Sequence, residues 1–148
     1  MNLVNYPLRA QKDFISFAFD SSGKQGLIRK VIQFQDTGEA NLYNLAFGDV
    51  GADGESLDDL VVSNNGDTQQ VLATVVAALY IFYEHYPDAT VYATGSTPAR
   101  IRFYRIGITK FYDEMQRDFY VYGQVGSAFY LFELGQLYDG FLVQRKFD

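Results

Sequence analysis

The chain has 148 residues, of which 48% are apolar and 17% aromatic, so it can bury one hydrophobic core and does not have the composition of a disordered protein. It contains no cysteine, which excludes disulfides and thiolate chemistry. Its net charge of −6 argues against general nucleic-acid binding, which needs a basic surface.

The N-terminal third predicts β-strands joined by short turns. Residues 14–34 contain two apolar or mixed runs around a Ser-Ser-Gly-Lys turn, a pattern typical of a β-hairpin. In the next run Tyr43, Leu45 and Phe47 share one face, as in a half-buried strand. A polar loop then leads to a short fourth strand around residues 60–62.

The clearest helix lies between Asp67 and Pro87. Asp67 is placed to cap the free N–H groups of the first turn, Gln70 follows as in a capping box, and Pro87 ends the helix. Its longest apolar run, residues 71–83, is shorter than the roughly 20 residues that a membrane span requires. The helix is apolar on several faces, so we expect it to be buried against a sheet and a partner subunit.

A strand over residues 89–95 leads into a second helix. Thr97 at the cap followed by Pro98 is a strong helix start, and the helix is predicted to run to about Gln116. Its apolar residues form one packing stripe. The stripe consists of Ile101, Tyr104, Ile108, Phe111, Tyr112 and Met115.

Three aromatic-rich strands complete the chain, over residues 118–125, 128–135 and 140–147. The predicted order is β-β-β-β-α-β-α-β-β-β. This order indicates an α+β fold with a largely antiparallel sheet and two helices. We expect one domain over residues 1–148. The N-terminus shows no basic region followed by an apolar core, and we expect a cytoplasmic protein that does not enter a membrane.

The second helix has an unusual charge pattern at its N-terminus. Arg100, Arg102 and Arg105 lie near the partly positive end of the helix, where a cation costs a few tenths of a kcal/mol to ~1 kcal/mol. On a helical wheel only Arg102 and Arg105 are neighbours. In one interpretation the arginines pair with acidic residues elsewhere and their stems cover apolar surface.

The alternative interpretation is an anion site. Free N–H groups and hydroxyls at the helix start, with Arg100 at the mouth, would hold a phosphate or carboxylate. The glycine spacing and the lysine of a P-loop are missing. Contact with a partner protein is a third interpretation. The candidate ligand-binding residues are Gly95, Ser96, Thr97, Arg100, Arg102 and Arg105.

The box GSTPARIRFYRIGI, followed by the aromatic strand FYVYG, resembles an uncharacterised family of short bacterial α+β proteins that carry a GSTxARxRxYRxxI box. The resemblance covers residues 88–123 and, more loosely, the N-terminal strands. It implies that the candidate residues at the helix start belong to the signature of a domain of unknown function. It implies no activity.

Catalytic and metal sites find little support. His85 is the one histidine and lies at a helix end, and zinc ligands are missing. The loop around Asp49 and Asp53 has some calcium-loop character, but Gly51 and Leu60 stand where acidic ligands are needed. We therefore expect no catalytic residues, no metal and no cofactor.

The aromatic residues allow a further alternative. Tyr120, Tyr122 and Tyr130 would stack single-stranded nucleic acid if they were exposed on a sheet beside Arg102 and Arg105. A core and a dimer face are the simpler explanation for so many aromatic side chains. We interpret the chain as a non-enzymatic, homodimeric interaction domain with a candidate site at residues 95–105. The alternatives are a protein that binds or converts a phosphorylated small molecule, or a single-strand nucleic-acid module.

Overall fold

A computed structural model describes residues 5–51, 57–58, 65–95 and 97–147 of the chain. The described residues form two helices and nine strands, mostly paired antiparallel, so the α+β class and the predicted order of elements are confirmed. One further two-residue strand, Arg9–Ala10, precedes the predicted hairpin. The strand expected around residues 60–62 lies outside the described residues.

The chain forms two compact units. The first comprises Met1–Phe34 and Ala46–His85, and the second comprises Gln35–Leu45 and Tyr86–Asp148. The elements of the first half of the chain are β1 (Arg9–Ala10), β2 (Ser16–Gly23), β3 (Gly26–Asp36), β4 (Leu42–Val50), β5 (Leu57–Asp58) and α1 (Thr68–His85). Because of this division, the long strands β3 and β4 each contribute residues to both units.

The predicted hairpin of the first unit is formed by β2 and β3. These strands pair antiparallel from Ser16 opposite Gln33 to Gly23 opposite Gly26, which leaves residues 24–25 as a two-residue turn. Gly26 has a φ of +83°, a conformation that glycine adopts without strain. β1 pairs with β2, and β5 with β4, also antiparallel.

Helix α1 is buried on several sides, as its all-round apolar pattern predicts. The ring of Phe82 stacks on Phe34 of β3 at 4.2 Å between centroids. The backbone N–H of Tyr6 donates to Thr74 Oγ1 at 2.9 Å, so the N-terminal segment lies against the helix. These residues are buried within one copy of the chain. The buried residues are Val71, Leu72, Ala73, Thr74, Val75, Val76, Ala78, Leu79, Phe82 and Tyr83.

A buried polar cluster ties the start of α1 to β2. Asp67 Oδ2 accepts hydrogen bonds from Tyr6 Oη and Ser21 Oγ, both at 2.5 Å. Asn65 is 1% exposed, and its Oδ1 accepts from the N–H of Gln25 at 2.6 Å. The carboxylate that we expected to cap α1 is thus directed to two hydroxyls, because buried hydroxyls need partners. The backbone carbonyl of Asp67 accepts the N–H of Val71 in the first turn of the helix.

A buried ion pair joins β3 to β4 inside the first unit. Lys30 Nζ lies 2.6 Å from Asp49 Oδ1, and the two residues are 1% and 6% exposed. Lys30 Nζ also lies 5.7 Å from the ring centre of Phe47. Asp49, which has calcium-loop character in the sequence, is therefore neutralised by a lysine. Removing one partner of such a pair is strongly destabilising, because it leaves a buried charge without its counter-ion.

The second unit is built from a sheet and one helix. Its elements, besides the end of β3 and the start of β4, are β6 (Thr90–Ala93), α2 (Pro98–Asp118), β7 (Phe119–Val125), β8 (Ala128–Leu131) and β9 (Gly140–Arg145). The strands follow the order β4-β6-β9-β7-β8. β4 and β6 are parallel, and the other pairs are antiparallel. The three predicted C-terminal strands are confirmed.

Helix α2 begins where the cap signal predicts and ends two residues beyond the predicted Gln116. Phe111 departs from helical geometry, with φ −104° and ψ 15°, and kinks the helix. Four residues of the predicted stripe are buried, and Ile101 and Tyr112 are half-buried. The four are Tyr104, Ile108, Phe111 and Met115. Among the described residues, no helix combines the length and apolar character needed to cross a membrane.

The polar cluster predicts a pH dependence of stability. Burial, and then the hydrogen bond to Asp67, raise the pKa of Tyr6 above its ordinary value of 10.0. The folded state therefore holds this proton more tightly than the unfolded chain. The resulting stabilisation is complete below pH 10 and is lost as the pH rises through the folded-state pKa.

We expect urea titrations between about pH 8 and 11 to show a fall in the free energy of unfolding that is smaller in Tyr6→Phe than in the wild type. Leu27→Ala, which changes an uncharged residue that is 75% exposed, should keep the wild-type pH dependence. An identical fall in wild type and Tyr6→Phe would contradict this role of Tyr6.

Candidate functional site

The start of α2 is capped as its sequence predicts. Thr97 is the N-cap residue, in an extended conformation with φ −134° and ψ 154°, and Pro98 occupies the first helical turn. The Thr97 hydroxyl accepts the backbone N–H of Arg100 at 3.3 Å. One hydroxyl of the candidate anion site is therefore engaged in the helix cap. Ser96 lies outside the described residues.

Arg100 is packed into the fold and is not an exposed cation at the start of α2. It is 8% exposed. Its stem lies against Gly95, where a Cβ would come within 2.2 Å of Arg100 Cβ and 2.4 Å of Cγ. Gly95 has no positive φ, so the close approach of the Arg100 stem explains the glycine here.

Arg102 and Arg105 differ from Arg100 in their surroundings. Arg102 is exposed and Arg105 is half-buried. Neither forms a hydrogen bond or an ion pair with any residue that the structure describes. The three arginines therefore occupy three environments and do not converge on one point.

A second feature, which the sequence analysis missed, is a sheet face that α2 leaves uncovered. Directly paired residues lie on the same face of a sheet, so the register defines two sets of side chains in the second unit. Apart from Gly140, every member of one set is exposed or half-buried, and we call this set the open face. The open face consists of Leu42, Asn44, Thr90, Tyr92, Tyr120, Tyr122, Gln124, Phe129, Leu131, Leu142 and Gln144.

The opposite set of side chains packs under α2. It includes Val121, Phe141 and Val143, which are at most 5% exposed. The ring of Tyr112, on α2, lies 5.3 Å from that of Phe132, which in turn lies 6.1 Å from Phe141. These contacts place α2 on the face opposite the open face.

The open face carries no charged residue at any of its strand positions, although the chain has a net charge of −6. Lys146, just beyond β9, places its ammonium group 5.1 Å from the ring centre of Tyr120. Tyr120, Phe129 and Leu131 are 45%, 41% and 65% exposed. The open face is therefore an aromatic and apolar surface on an acidic protein.

Hydrogen bonds within the open face hold its side chains in place. Tyr92 Oη donates to Gln124 Oε1, and Gln124 Nε2 donates to the carbonyl of Gly126 at 2.9 Å. Tyr92 also lies across Gly140, where a Cβ would come within 3.0 Å of its ring. Its ring meets Phe129 edge to face at 6.3 Å. These contacts order the surface before any partner binds.

Two of the three tyrosines proposed for nucleic-acid stacking lie on the sheet face opposite the arginine-bearing helix. Tyr120 and Tyr122 lie on the open face, whereas Tyr130 lies on the other face of β8. Arg102 and Arg105 belong to α2, which covers the face opposite the open face. The three tyrosines and the two arginines are therefore not all on one face of the sheet.

The described residues show no metal-binding constellation. They contain no group of three or more His, Asp or Glu residues placed to hold a metal ion. His85 stacks on Phe14 at 3.8 Å between ring centres, and its Nδ1 contacts the carbonyl of Ile81 at 3.1 Å. These contacts make His85 a helix-end residue, as its position in the sequence indicates.

The packing of Gly95 on Arg100 predicts a steric effect. We expect Gly95→Ala to lower the free energy of unfolding by roughly 1–3 kcal/mol, because the added methyl group overlaps the Arg100 stem. Chemical denaturation measures this. Arg102→Ala, at an exposed position of the same helix, should stay within about 0.5 kcal/mol of the wild type. If Gly95→Ala leaves the free energy of unfolding unchanged, the helix start accommodates the added methyl group and this steric role of Gly95 is wrong.

Comparison with known proteins places the chain in a family. No curated protein and no solved structure matches it. A family model, described as a family of unknown function, matches residues 2–146. Because this match covers nearly the whole chain, the protein belongs to the DUF6934 family.

Proposed function

We propose that this protein is a non-enzymatic interaction domain that acts as a homodimer through the β8 end of its open face. The observation that carries the proposal is the uncovered, uncharged sheet face of the second unit. An exposed patch of aromatic and apolar side chains on a folded chain is typical of a contact site. Its side chains are already ordered by internal hydrogen bonds, which lowers the entropic cost of association.

A second copy can meet this surface without bringing like charges together. Two copies with a net charge of −6 each repel one another at long range, so contact is cheapest through a surface without acidic residues. Residues 119–132, which form β7, β8 and the turn between them, contain no charged residue. A strongly basic partner would find no acidic group in this segment to pair with.

The anion site at residues 95–97 is the second candidate, as part of a protein that binds or converts a phosphorylated small molecule. Two observations support it: residues 97–99 are exposed at the start of α2, and Arg102 is exposed without a partner among the described residues. The burial of Arg100 weakens it, because the cation expected at the mouth is packed on Gly95.

Further expectations from the sequence remain proposals. These are a cytoplasmic location, a bacterial origin, and the role of the box over residues 95–108 as the signature of the family. A single-strand nucleic-acid module has less support than the other two functions, because Tyr120 and Tyr122 lie on the sheet face opposite the helix that carries Arg102 and Arg105.

The homodimer is tested by sedimentation equilibrium over a range of concentrations. We expect the wild type to dimerise and Phe129→Glu/Leu131→Glu to be monomeric, because both substitutions place acids on the contact surface. Leu27→Glu is the matched control, since Leu27 is 75% exposed in the first unit. A wild type that stays monomeric at every concentration would overturn the homodimer.

The anion site is tested by thermal unfolding with inorganic phosphate. Phosphate at a concentration ten times its dissociation constant would stabilise the wild type by about 1.4 kcal/mol and raise the midpoint temperature of unfolding. We expect Arg102→Gln/Arg105→Gln to lose this shift and Arg9→Gln, in the first unit, to keep it. If no shift occurs, or the shift is equal in all three proteins, the helix start does not bind phosphate.

A further inference from the structure

We infer that two copies of the chain join by antiparallel pairing of β8 with β8 of the second copy, with the two-fold axis passing at Tyr130. The inference rests on the proposed homodimer, for which it names the contact strand and the register. Such a pairing would extend the sheet of one copy into that of the other. It is the isologous arrangement expected of a two-fold dimer.

Strand β8 has one side free for pairing. Among the described strands it pairs with β7 alone and ends the order β4-β6-β9-β7-β8. The N–H of Phe132 donates to the carbonyl of Val121 on β7 at 2.9 Å. Because hydrogen bonding alternates along an antiparallel strand, the backbone groups of Phe129 and Leu131 point away from β7.

The outward backbone groups select one register. When Tyr130 lies opposite Tyr130 of the second copy, Phe129 of each copy lies opposite Leu131 of the other copy. Each of these two pairs then exchanges both of its N–H···O=C bonds. If the axis passed at Phe129, Leu131 would lie opposite a residue outside β8. If the axis passed at Leu131, Phe129 would lie opposite a residue outside β8. The register at Tyr130 therefore satisfies the most backbone groups.

Side chains agree with this register. Phe129 and Leu131 lie on the open face, so pairing puts an aromatic ring beside a leucine on each side of the axis. Tyr130, which is 58% exposed, meets its own symmetry mate on the other face. No charged residue of β8 meets its counterpart.

Natural edge strands are usually protected by charges, prolines or bulges that prevent pairing with another chain. Residues 119–132 contain no charged residue and no proline. β8 pairs with β7 without an interruption in register, from Tyr122 opposite Leu131 to Val125 opposite Ala128. An unprotected, apolar edge of this kind is expected to be covered in the working protein.

The exposed area of the large side chains around β8 approaches that of a standard dimer interface. Six large side chains between residues 125 and 137 are between 41% and 75% exposed. With ~200 Å² for each fully exposed side chain, they present on the order of 600–700 Å² per copy, close to the ~800 Å² per partner of standard interfaces. These six are Val125, Phe129, Tyr130, Leu131, Leu134 and Leu137.

A charge swap at the axis tests the inference. Tyr130→Lys and Tyr130→Glu each place like charges directly opposite one another, so we expect each variant alone to lose the dimer in sedimentation equilibrium. An equimolar mixture should recover it, because lysine then faces glutamate. Leu27→Lys and Leu27→Glu, alone and mixed, should behave as the wild type. Circular dichroism confirms that the variants remain folded.

A cysteine at the axis provides a second measurement. The chain contains no cysteine, so Tyr130→Cys can form a disulfide only with its own mate. Residues in a non-hydrogen-bonded antiparallel pair have Cα atoms ~4.5 Å apart, within the range that a disulfide spans. We expect Tyr130→Cys to cross-link rapidly under mild oxidation and Leu27→Cys to cross-link slowly.

The outcomes separate this inference from the proposed homodimer. Suppose that the wild type and both charge variants dimerise, and that Tyr130→Cys cross-links no faster than Leu27→Cys. This result would overturn β8 pairing and leave the homodimer in place. A monomeric wild type would overturn both. Loss of the dimer in each charge variant with recovery in the mixture supports the register at Tyr130.

Discussion

The second unit depends on one constraint. Side chains alternate between the two faces of its strands, and the unit has a single helix with which to cover them. A strand presents two faces, and α2 has one apolar stripe, so one face alone can be buried beneath it. Val121, Phe141 and Val143 occupy that buried face. The other face remains in contact with solvent, and its tyrosines, leucines and amides make it a surface that a partner can cover without desolvating charges.

The start of α2 shows how a helix accommodates cations at its positive end. Arg100 is held by packing of its stem against Gly95, while the Thr97 cap accepts an N–H of the first turn. Arg102 is exposed, where solvent and salt weaken its unfavourable interaction with the helix dipole. Arg100 therefore has a structural role that its position in the sequence does not distinguish from that of its neighbours.

Local patterns predicted local structure well. The cap and proline of α2, the hairpin of β2 and β3 and the aromatic C-terminal strands follow from residues that are close in sequence. The contact of Lys30 with Asp49 and that of Tyr6 with Asp67 span 19 and 61 residues. Lys30 alternates with Ile28 and Ile32 along β3, but no pattern among neighbouring residues identifies Asp49 as its partner. Asp67 met the local criteria for a cap, yet its carboxylate binds two hydroxyls supplied from elsewhere in the first unit.

The sequence by itself determined the elements, their order, the apolar stripe of α2 and the absence of charge in residues 119–132. Only the tertiary structure decided that β9 lies between β6 and β7 and that β8 is left at the edge. That arrangement brings alternate residues of five strands together as the open face and leaves one set of backbone groups on β8 without a partner strand among those described. The physical reason is that periodicity is a property of a few neighbouring residues. Strand order instead depends on hydrogen bonding and packing between segments that are far apart in the chain.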